Sequence, residues 1–205
     1  MRKQIQAFEF IEVDQRTGIG NDDSLSRLSF HHAGPTRRRP VRTVRAYLDL
    51  LVDAMMLRRL EPFHINIGKR LVKAPKVYVR DSGILHALLN LRSLDDLGGH
   101  PVAGLSWEGF VIEQILATLP PLTTAGFYRT SAGAELDLVV EQAGRRIGFE
   151  VKLSTAPTVS RGFWNACEDL GVSRAYVVAP VLEPYPLADN VEVISPLMLG
   201  QLGSG

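Results

Sequence analysis

The chain has 205 residues, 45% of them hydrophobic, and a formal net charge of +1 at pH 7. This size allows one sizeable hydrophobic core together with a small appended domain. The near-neutral charge excludes a broad electrostatic attraction to nucleic acid, so any such binding must come from local clusters of basic residues.

The single cysteine, Cys167, excludes an internal disulfide and a zinc site built from cysteines. It is expected to be a small buried side chain in a reducing compartment. The sequence contains no signal peptide and no apolar run long enough to cross a membrane. These features predict a soluble, cytoplasmic protein without a membrane partner.

The first forty residues show no periodic pattern. Thr17–Asp23 is polar and contains glycine, and His31–Pro40 carries three consecutive arginines between prolines. We interpret residues 1–40 as a flexible or non-homologous segment. The arginine run is expected to be solvated, although it could also serve as a DNA-binding arm.

The next part of the sequence predicts a helix followed by a β-hairpin. From Val44 onward apolar residues recur at helical spacing, and Thr43 is placed to cap the helix N-terminus. Leu57–Pro62 and Leu71–Val79 have the composition of two strands, joined by a polar loop that contains glycine. A helix with such a hairpin predicts part of a winged helix over residues 41–82.

Basic residues near this element are candidate contacts to nucleic acid. Four arginines border the predicted helix and hairpin: Arg42, Arg45, Arg58 and Arg59. A helix with a basic wing can lie along duplex DNA through phosphate contacts, but a basic fringe of this size is also common on ordinary surfaces. A fifth residue, Arg129, could meet a phosphate or form an ion pair with Glu135 or Glu150.

A second group of elements follows in the order α-β-β-β-α-β. A broad apolar stripe predicts a helix over Trp107–Leu119, which Ser106 would cap. The remaining predicted elements are the strand Gly126–Ser131, a hairpin within residues 135–152, the helix Ser160–Leu170 closed by Gly171, and the strand Arg174–Ala179.

The predicted hairpin carries acidic residues on one face. Alternation with period two puts Glu135 and Asp137 on the same side of its first strand, and Glu150 and Lys152 on the same side of its second. A turn at residues 142–145 then sets Asp137 opposite Glu150 and Glu135 opposite Lys152. Opposed residues have Cβ atoms about 4.5–5.5 Å apart, so the two central carboxylates repel each other unless a cation lies between them.

This arrangement suits the hydrolysis of a phosphodiester. Hard oxygen ligands hold Mg²⁺ or Mn²⁺, which polarises the phosphate and lowers the pKa of an attacking water. Lys152 could orient the water or stabilise the negative charge that develops on the phosphate. The alternative is a cross-strand salt bridge between Glu135 and Lys152, with Asp137 and Glu150 as polar residues on a solvated sheet face.

The order of elements, with Asp137 on the second strand and Glu150-Val-Lys152 on the third, resembles the core of the PD-(D/E)XK nuclease superfamily. The resemblance runs from about Leu105 to Ala179. It implies an α/β fold of the restriction-endonuclease type, with the aspartate and glutamate as metal ligands and the lysine as a catalytic residue.

The same resemblance implies a further acidic ligand on the first helix, for which the sequence offers Glu108 and Glu113. We favour Glu108 as the third metal ligand, since it lies in the segment Trp107-Glu108-Gly109-Phe110-Val111 that resembles the acidic stretch of a narrower family. Glu113 is expected to be a solvated residue that complements the helix dipole.

Four segments carry the resemblance to that narrower family: Thr43–Leu51, Arg58–Phe63, Lys69–Tyr78 and Asp81–Leu85. The family is the uncharacterised C-terminal domain that follows an AAA-type ATPase module in many prokaryotic ATP-binding proteins. The resemblance extends from about Thr43 to the C-terminus and implies a nuclease-like domain over residues 83–205. It also implies an association with an AAA-type ATPase. Because this sequence contains no Gly-x4-Gly-Lys-Ser/Thr motif, we expect that ATPase on a partner chain or on a missing N-terminal portion of this one.

A winged helix normally has two helices ahead of the one predicted at Thr43, and residues 1–40 do not supply their pattern. We therefore expect a truncated or rearranged gene product, an incorrect start, or a partner that covers the apolar face of the helix. That face includes Leu48, Leu51 and Met55 and could also form a homodimer interface.

Two functions follow from these observations. The first is a metal-dependent nuclease in which Glu108, Asp137 and Glu150 hold Mg²⁺ or Mn²⁺ while Lys152 assists the attacking water. The second is a non-catalytic module of the same fold that binds DNA or a protein partner on behalf of an ATPase.

Overall fold

A computed structural model describes residues 41–65, 68–121 and 123–202. The predicted segment 1–40 and its arginine run lie outside these residues. The described chain forms a mixed α/β fold, as the sequence predicts, and none of its helices is long and apolar enough to cross a bilayer.

Six helices and eight strands make up this part of the chain. The helices are α1 (Val41–Asp53), α2 (Ser82–Leu88), α3 (Leu94–Gly98), α4 (Ala103–Thr118), α5 (Arg161–Leu170) and α6 (Leu199–Leu202). The strands are β1 (Leu57–Leu60), β2 (Lys76–Val79), β3 (Thr124–Arg129), β4 (Glu135–Gln142), β5 (Arg145–Val151), β6 (Arg174–Val178), β7 (Tyr185–Ala188) and β8 (Val191–Ile194). A short 3-10 helix, Pro196–Met198, precedes α6.

The strands form one large sheet and one small one. The large sheet has the order β3-β4-β5-β6-β8-β7, in which β5, β6 and β8 run parallel to one another and the other neighbours are antiparallel. The small sheet is the antiparallel pair β1-β2. Strands β7 and β8 extend the sheet beyond the last strand that the sequence predicted.

Helices cover both faces of the large sheet. On one face α4 packs Val111, Ile112 and Ile115 into a core shared with β4 and β5. On the other face α5 contributes Phe163 and Ala166 to a second core. Since β6 lies between these layers, its side chains are buried on both faces, which explains its valine-rich sequence.

The β4-β5 hairpin has the register that the sequence predicts. Glu141 pairs with Arg146, and the tight turn between the strands places Ala143 and Gly144 at φ of 50° and 74°. Two successive positive φ values are typical of the turn that matches the twist of a two-residue hairpin. The turn thereby fixes which residues of β4 and β5 face each other at the far end of the hairpin.

Two helix starts differ from prediction. Helix α4 begins at Ala103, so Ser106 lies inside the helix, where its backbone N–H donates to Val102 O at 2.8 Å. The predicted N-cap role of Ser106 is therefore wrong, and its hydroxyl instead lies 2.7 Å from His86 Nε2. Helix α1 begins at Val41, ahead of the cap predicted at Thr43.

The second core helix ends as predicted. Ser160 accepts a hydrogen bond from the Phe163 N–H at the N-terminus of α5. Gly171 follows the last turn in the left-handed conformation, with φ of 57°, and closes the helix. Both caps belong to residue types that favour these positions.

The connection between β1 and β2 folds back onto the large sheet. The Phe63 N–H donates to Phe127 O at 2.7 Å, and the Val72 N–H donates to Arg129 O at 2.9 Å. Gly126 permits the close approach, because a Cβ there would lie 2.7 Å from the Glu61 carbonyl oxygen. The connection between β1 and β2 thus runs along β3. Because of this path, the strand predicted at Leu71–Val79 is shorter in the structure: β2 begins only at Lys76, beside the end of the large sheet.

Helix α1 leaves part of its apolar surface exposed. Tyr47 is 54% exposed and Leu50 is 61% exposed, and Met55, which follows the end of the helix, is 72% exposed. Amphipathic spacing therefore predicted this helix correctly, although within the described residues it is only partly covered.

A buried carboxylate and lysine cluster as the candidate active site

Asp137 and Glu150 are buried side chains on neighbouring strands. They are 8% and 7% exposed. Leu138 pairs with Phe149; Asp137 comes directly before Leu138 and Glu150 directly after Phe149, at the end of the β4-β5 hairpin. Asp137 Oδ2 also accepts a hydrogen bond from the Val151 N–H at 3.0 Å. The alternative that these two carboxylates lie on a solvated sheet face is therefore wrong.

Glu108 reaches the same end of the sheet from α4. Its side chain is 18% exposed, and its Oε1 accepts hydrogen bonds from Lys76 Nζ at 2.9 Å and from the Tyr78 hydroxyl at 2.6 Å. The next residue on the helix, Gly109, allows the tyrosine ring to pack against the backbone, because a Cβ there would lie 3.1 Å from Tyr78 Cδ1. A small residue in this turn therefore helps bring β2 within reach of Glu108.

Lys76 is the central cation of the cluster. Its Nζ lies 2.9 Å from Glu108 Oε1, 2.9 Å from Asp137 Oδ1 and 3.5 Å from Glu135 Oε1. Its ammonium also lies 5.7 Å from the centre of the Phe127 ring. Sequence reasoning missed this residue, because it lies on the predicted wing and only the folding of that wing onto the large sheet brings it to the carboxylates.

Lys152 pairs with Glu150 and not with Glu135. Its Nζ lies 2.7 Å from Glu150 Oε1, while its backbone N–H donates to Val178 O at 3.0 Å beside β6. Glu135 is held from the other side by Arg129, its cross-strand partner, and by Lys76. The predicted Glu135–Lys152 contact does not form, since β5 ends at Val151 and the chain leaves the sheet there.

Glu150 retains one buried oxygen without a partner. Within residues 41–65, 68–121 and 123–202, its Oε2 accepts no hydrogen bond, although Oε1 is paired with Lys152. A buried carboxylate oxygen in this position costs free energy unless a cation or a donor reaches it. Among the described residues, this oxygen and Arg129 Nε are buried polar atoms of the cluster without a hydrogen-bond partner.

The electrostatics of the cluster follow from burial and from opposing charges. Burial and the neighbouring Asp137 raise the pKa of Glu150 to about 7, although Lys152 opposes the shift. Burial and Asp137 likewise raise the pKa of Glu108, against the attraction of Lys76. Burial alone would lower the pKa of Lys76, but Asp137 and Glu108 outweigh it and keep the ammonium charged.

Three of the predicted nucleic-acid contacts are engaged in ion pairs within the protein. Arg58 donates to Glu113, and Arg59 lies 3.1 Å from the carboxylate of Glu61. Arg129 pairs with Glu135, one of the two ion-pair partners that the sequence offered, and its contact with a phosphate stays a prediction. Arg45 is exposed on α1, and the Arg42 side chain lies outside the described residues.

Glu113 is not the solvated residue that the sequence predicted. Its side chain is 11% exposed and receives Arg58 at 3.1 Å and Arg80 at 2.9 Å. Arg58 lies on β1 and Arg80 directly follows β2, so Glu113, like Glu108, holds the β1-β2 hairpin against α4 through polar contacts.

The cluster has the donor chemistry of a magnesium or manganese site, but a lysine lies at its centre. Carboxylate oxygens are the ligands that these ions prefer, and Glu108, Asp137 and Glu150 supply them. As arranged, however, no three His, Cys, Asp or Glu side chains among the described residues converge closely enough to hold a metal ion. The Lys76 ammonium lies between Glu108 Oε1 and Asp137 Oδ1, 2.9 Å from each.

Two curated relatives align with three quarters of the chain. They are "Uncharacterized protein Mb2031c" of Mycobacterium bovis and "Uncharacterized protein Rv2008c" of Mycobacterium tuberculosis, each 45% identical over 152 residues. The alignment covers 74% of this chain and 34% of each relative, so the chain spans about a third of their length.

A solved structure, that of protein VC1899 from Vibrio cholerae, is 15% identical to this chain. The match covers 82% of this chain and 42% of the other, with a TM-score of 0.32. A likeness at this level carries no argument about fold or function.

Two family models match consecutive parts of the chain. Residues 24–95, which include Lys76, match a domain of unknown function (DUF8612). Residues 103–199 match another domain of unknown function (DUF4143). The segment that carries Glu108, Asp137, Glu150 and Lys152 therefore lies within the match to the DUF4143 model.

Proposed function

We propose that this chain contains a nuclease-like domain of the PD-(D/E)XK type that hydrolyses phosphodiester bonds in DNA with Mg²⁺ or Mn²⁺. The observation that carries the proposal is the burial of Asp137 and Glu150 side by side, with Glu108 aimed at the same end of the sheet. Burying charged carboxylates costs several kcal/mol each unless the geometry of their partners is excellent. A domain selected for stability alone has no reason to retain three of them.

The proposed site residues divide into ligands and a helper. Glu108, Asp137 and Glu150 would hold the divalent ion, and Glu150 Oε2, which is buried without a hydrogen-bond partner among the described residues, supports this role. When bound, such an ion would neutralise the phosphate and lower the pKa of a water molecule. Lys152, whose ammonium lies 2.7 Å from Glu150, would donate to a phosphate oxygen and offset the negative charge that develops there.

The partners of this domain are part of the proposal. The fold of α1 with the β1-β2 hairpin supports a partial winged helix, and exposed Arg45 is its most accessible candidate for phosphate contact. Arg58, Arg59 and Arg129 would have to exchange their internal carboxylates for phosphates. An AAA-type ATPase on another chain, a homodimer through α1 and a cytoplasmic location complete the proposal.

One observation favours a second candidate, a non-catalytic module that binds DNA or a protein partner. Lys76 forms ion pairs with both Glu108 and Asp137, so the protein itself compensates part of the negative charge of the cluster without a bound cation. A fold that had lost its activity could retain these ion pairs for stability. The two candidates differ in whether the site binds a metal ion and cleaves nucleic acid.

The experiment that tests the proposal is cleavage of supercoiled, linear and single-stranded DNA by the full chain with Mg²⁺ or Mn²⁺. Asp137→Asn and Glu150→Gln should each abolish cleavage, while Glu183→Gln, which alters an exposed carboxylate, should retain it. Melting curves would verify that all three variants fold. Cleavage that persists undiminished in both site variants, or a wild type inert on every DNA tested, would refute the catalytic proposal.

A further inference from the structure

The most unusual group in the site is the Lys76 ammonium, which no feature of the DUF4143 segment supplies. It enters from β2, outside residues 103–199, and lies 2.9 Å from one oxygen each of Glu108 and Asp137. Its side chain is only 15% exposed. A cation buried between two carboxylates compensates the same charge repulsion that a divalent ion would compensate.

We propose that Lys76 is a built-in competitor of the metal ion, which holds the site closed until its ammonium moves away from Glu108 and Asp137. The inference rests on the proposed function in one respect, namely that these carboxylates are metal ligands. A lysine and a divalent ion cannot share the same two oxygens, because their positive charges would lie within a few ångströms of each other. Metal affinity is therefore reduced by the free energy needed to displace the lysine.

The structure offers the displaced lysine a second acceptor. Glu135 Oε1 lies 3.5 Å from Nζ, and the Glu135 side chain is 33% exposed, nearer to solvent than Asp137. Because lysine has a flexible four-carbon stem, the ammonium can turn toward Glu135 and water while the backbone of β2 stays in place. After this exchange the Lys76 ammonium is paired with Glu135 and water, and Glu108 and Asp137 are paired with the divalent ion.

The contacts around Lys76 also hold it in position at rest. Tyr78, two residues along β2, donates to the same Glu108 oxygen at 2.6 Å, and Lys76 itself pairs with Leu60 of β1. Arg58, on β1, and Arg80, directly after β2, both bind Glu113, which lies five residues after Glu108 on α4. These contacts hold the β1-β2 hairpin against α4 and thereby keep the Lys76 ammonium next to Glu108 and Asp137.

The test is calorimetric titration of Mn²⁺ into the full chain and into three variants. Lys76→Met removes the charge but keeps most of the length and the packing on Phe127, Lys76→Arg keeps a charge, and Lys73→Met alters an exposed lysine in the same connection. We expect Lys76→Met to bind Mn²⁺ tighter by about tenfold or more, which is the usual size of a coupling between two binding events. Lys76→Arg and Lys73→Met should stay close to the wild type.

The outcomes separate this inference from the proposed function. Equal affinity in the wild type and Lys76→Met, with binding lost in Asp137→Asn, would overturn the competition but leave the metal site intact. Absence of binding in every form would overturn both. If Lys76→Met binds tightly but keeps that affinity after a second change, Asp137→Asn, the ion lies elsewhere and the inference also fails.

A measurement on the unaltered protein protects the test against a variant that does not fold. In protein with ¹⁵N-labelled lysines, the buried and hydrogen-bonded ammonium of Lys76 should give a protected Nζ signal, which Lys76→Arg identifies by its loss. Saturation with Mg²⁺ should shift or broaden this signal as the ammonium leaves the carboxylates. A Lys76 signal that is unchanged at saturating Mg²⁺ would overturn the proposal.

Discussion

The ion pairs that join the β1-β2 hairpin to α4 should make a measurable contribution to stability. Glu113 accepts from Arg58 through both of its oxygens, one of them at 3.1 Å, and from Arg80 at 2.9 Å. In Glu113→Gln one oxygen acceptor remains, so at least one hydrogen bond is lost and the others lose the negative charge. We expect the free energy of unfolding to fall for this reason.

The magnitude follows from the exposure of the partners. A hydrogen bond to a charged group contributes about 1.5–3 kcal/mol, and the two arginine side chains are 31% and 33% exposed, which favours the lower part of that range. We therefore expect Glu113→Gln to cost about 2 kcal/mol. For a chain of this size that loss lowers the melting temperature by about 4–8 °C.

The same group gives the loss a defined pH dependence. Burial alone would raise the pKa of Glu113, but the hydrogen bonds from Arg58 and Arg80 outweigh it and lower the pKa below its ordinary value of 4.5. Because the folded-state pKa is depressed, the stabilisation is present above about pH 4.5 and is lost as the pH falls through the folded-state value. The difference between wild type and Glu113→Gln should therefore shrink in acid.

Urea unfolding at neutral and acidic pH measures both effects, and Glu183→Gln is the matched control because its carboxylate is exposed. The control should change stability by less than about 0.5 kcal/mol. If Glu113→Gln is as stable as this control at neutral pH, or if its deficit grows in acid, the ion pairs do not stabilise the hairpin in the way described.

Three further changes test other parts of the structure. Gly126→Ala should lower the free energy of unfolding in urea by about 1–3 kcal/mol, because its Cβ would lie 2.7 Å from the backbone oxygen of Glu61. Gly98→Ala is the control: a Cβ there meets open space, so the change should be nearly neutral. Equal effects of the two substitutions would contradict the close contact between Gly126 and the connection from β1 to β2. Tyr78→Phe should cost about 1–2 kcal/mol through loss of its hydrogen bond to Glu108, and no loss would mean that this bond does not form. Burial raises the pKa of Cys167 to about 11, so iodoacetamide should alkylate the folded protein slowly at pH 8 and the urea-unfolded protein much faster; equal rates would contradict the burial of the thiol.

Local sequence was sufficient to predict the hairpin and its register. Period-two alternation in β4 and β5 and a turn that places Ala143 and Gly144 at positive φ act over a few residues, so they can be read directly from the chain. The same applies to Gly171, which closes α5 as predicted. The register predicted for the hairpin places Asp137 opposite Glu150, and the observed register agrees.

Contacts between distant segments were beyond the reach of local patterns. Ser106 has the residue type of an N-cap, but a bond to His86 satisfies its hydroxyl inside α4, and the helix can start earlier. Lys76 and Tyr78 are two residues apart on a strand, so their side chains are expected on the same face. No residue near them in sequence indicates that this face contacts Glu108, which lies 30 residues after Tyr78. The central cation of the site therefore had no signal in the sequence alone.

The edge of the sheet was missed for a different reason. Strand β7 contains a proline and exposes all four of its residues, so it has neither the alternation nor the burial that identifies a strand. Its neighbour β8 is buried but only four residues long. Short strands of this kind are defined by the sheet that receives them and not by their own composition.

The position of Lys76 links the two matched segments of the chain through charge balance. The lysine lies in residues 24–95, and its carboxylate partners lie in residues 103–199. A protein trimmed to the second segment would retain buried acids without the cation that offsets them, and should fold less stably or take up protons. Over evolutionary time, replacement of Lys76 by a neutral residue should accompany the loss of one of these acids or reliance on a bound ion.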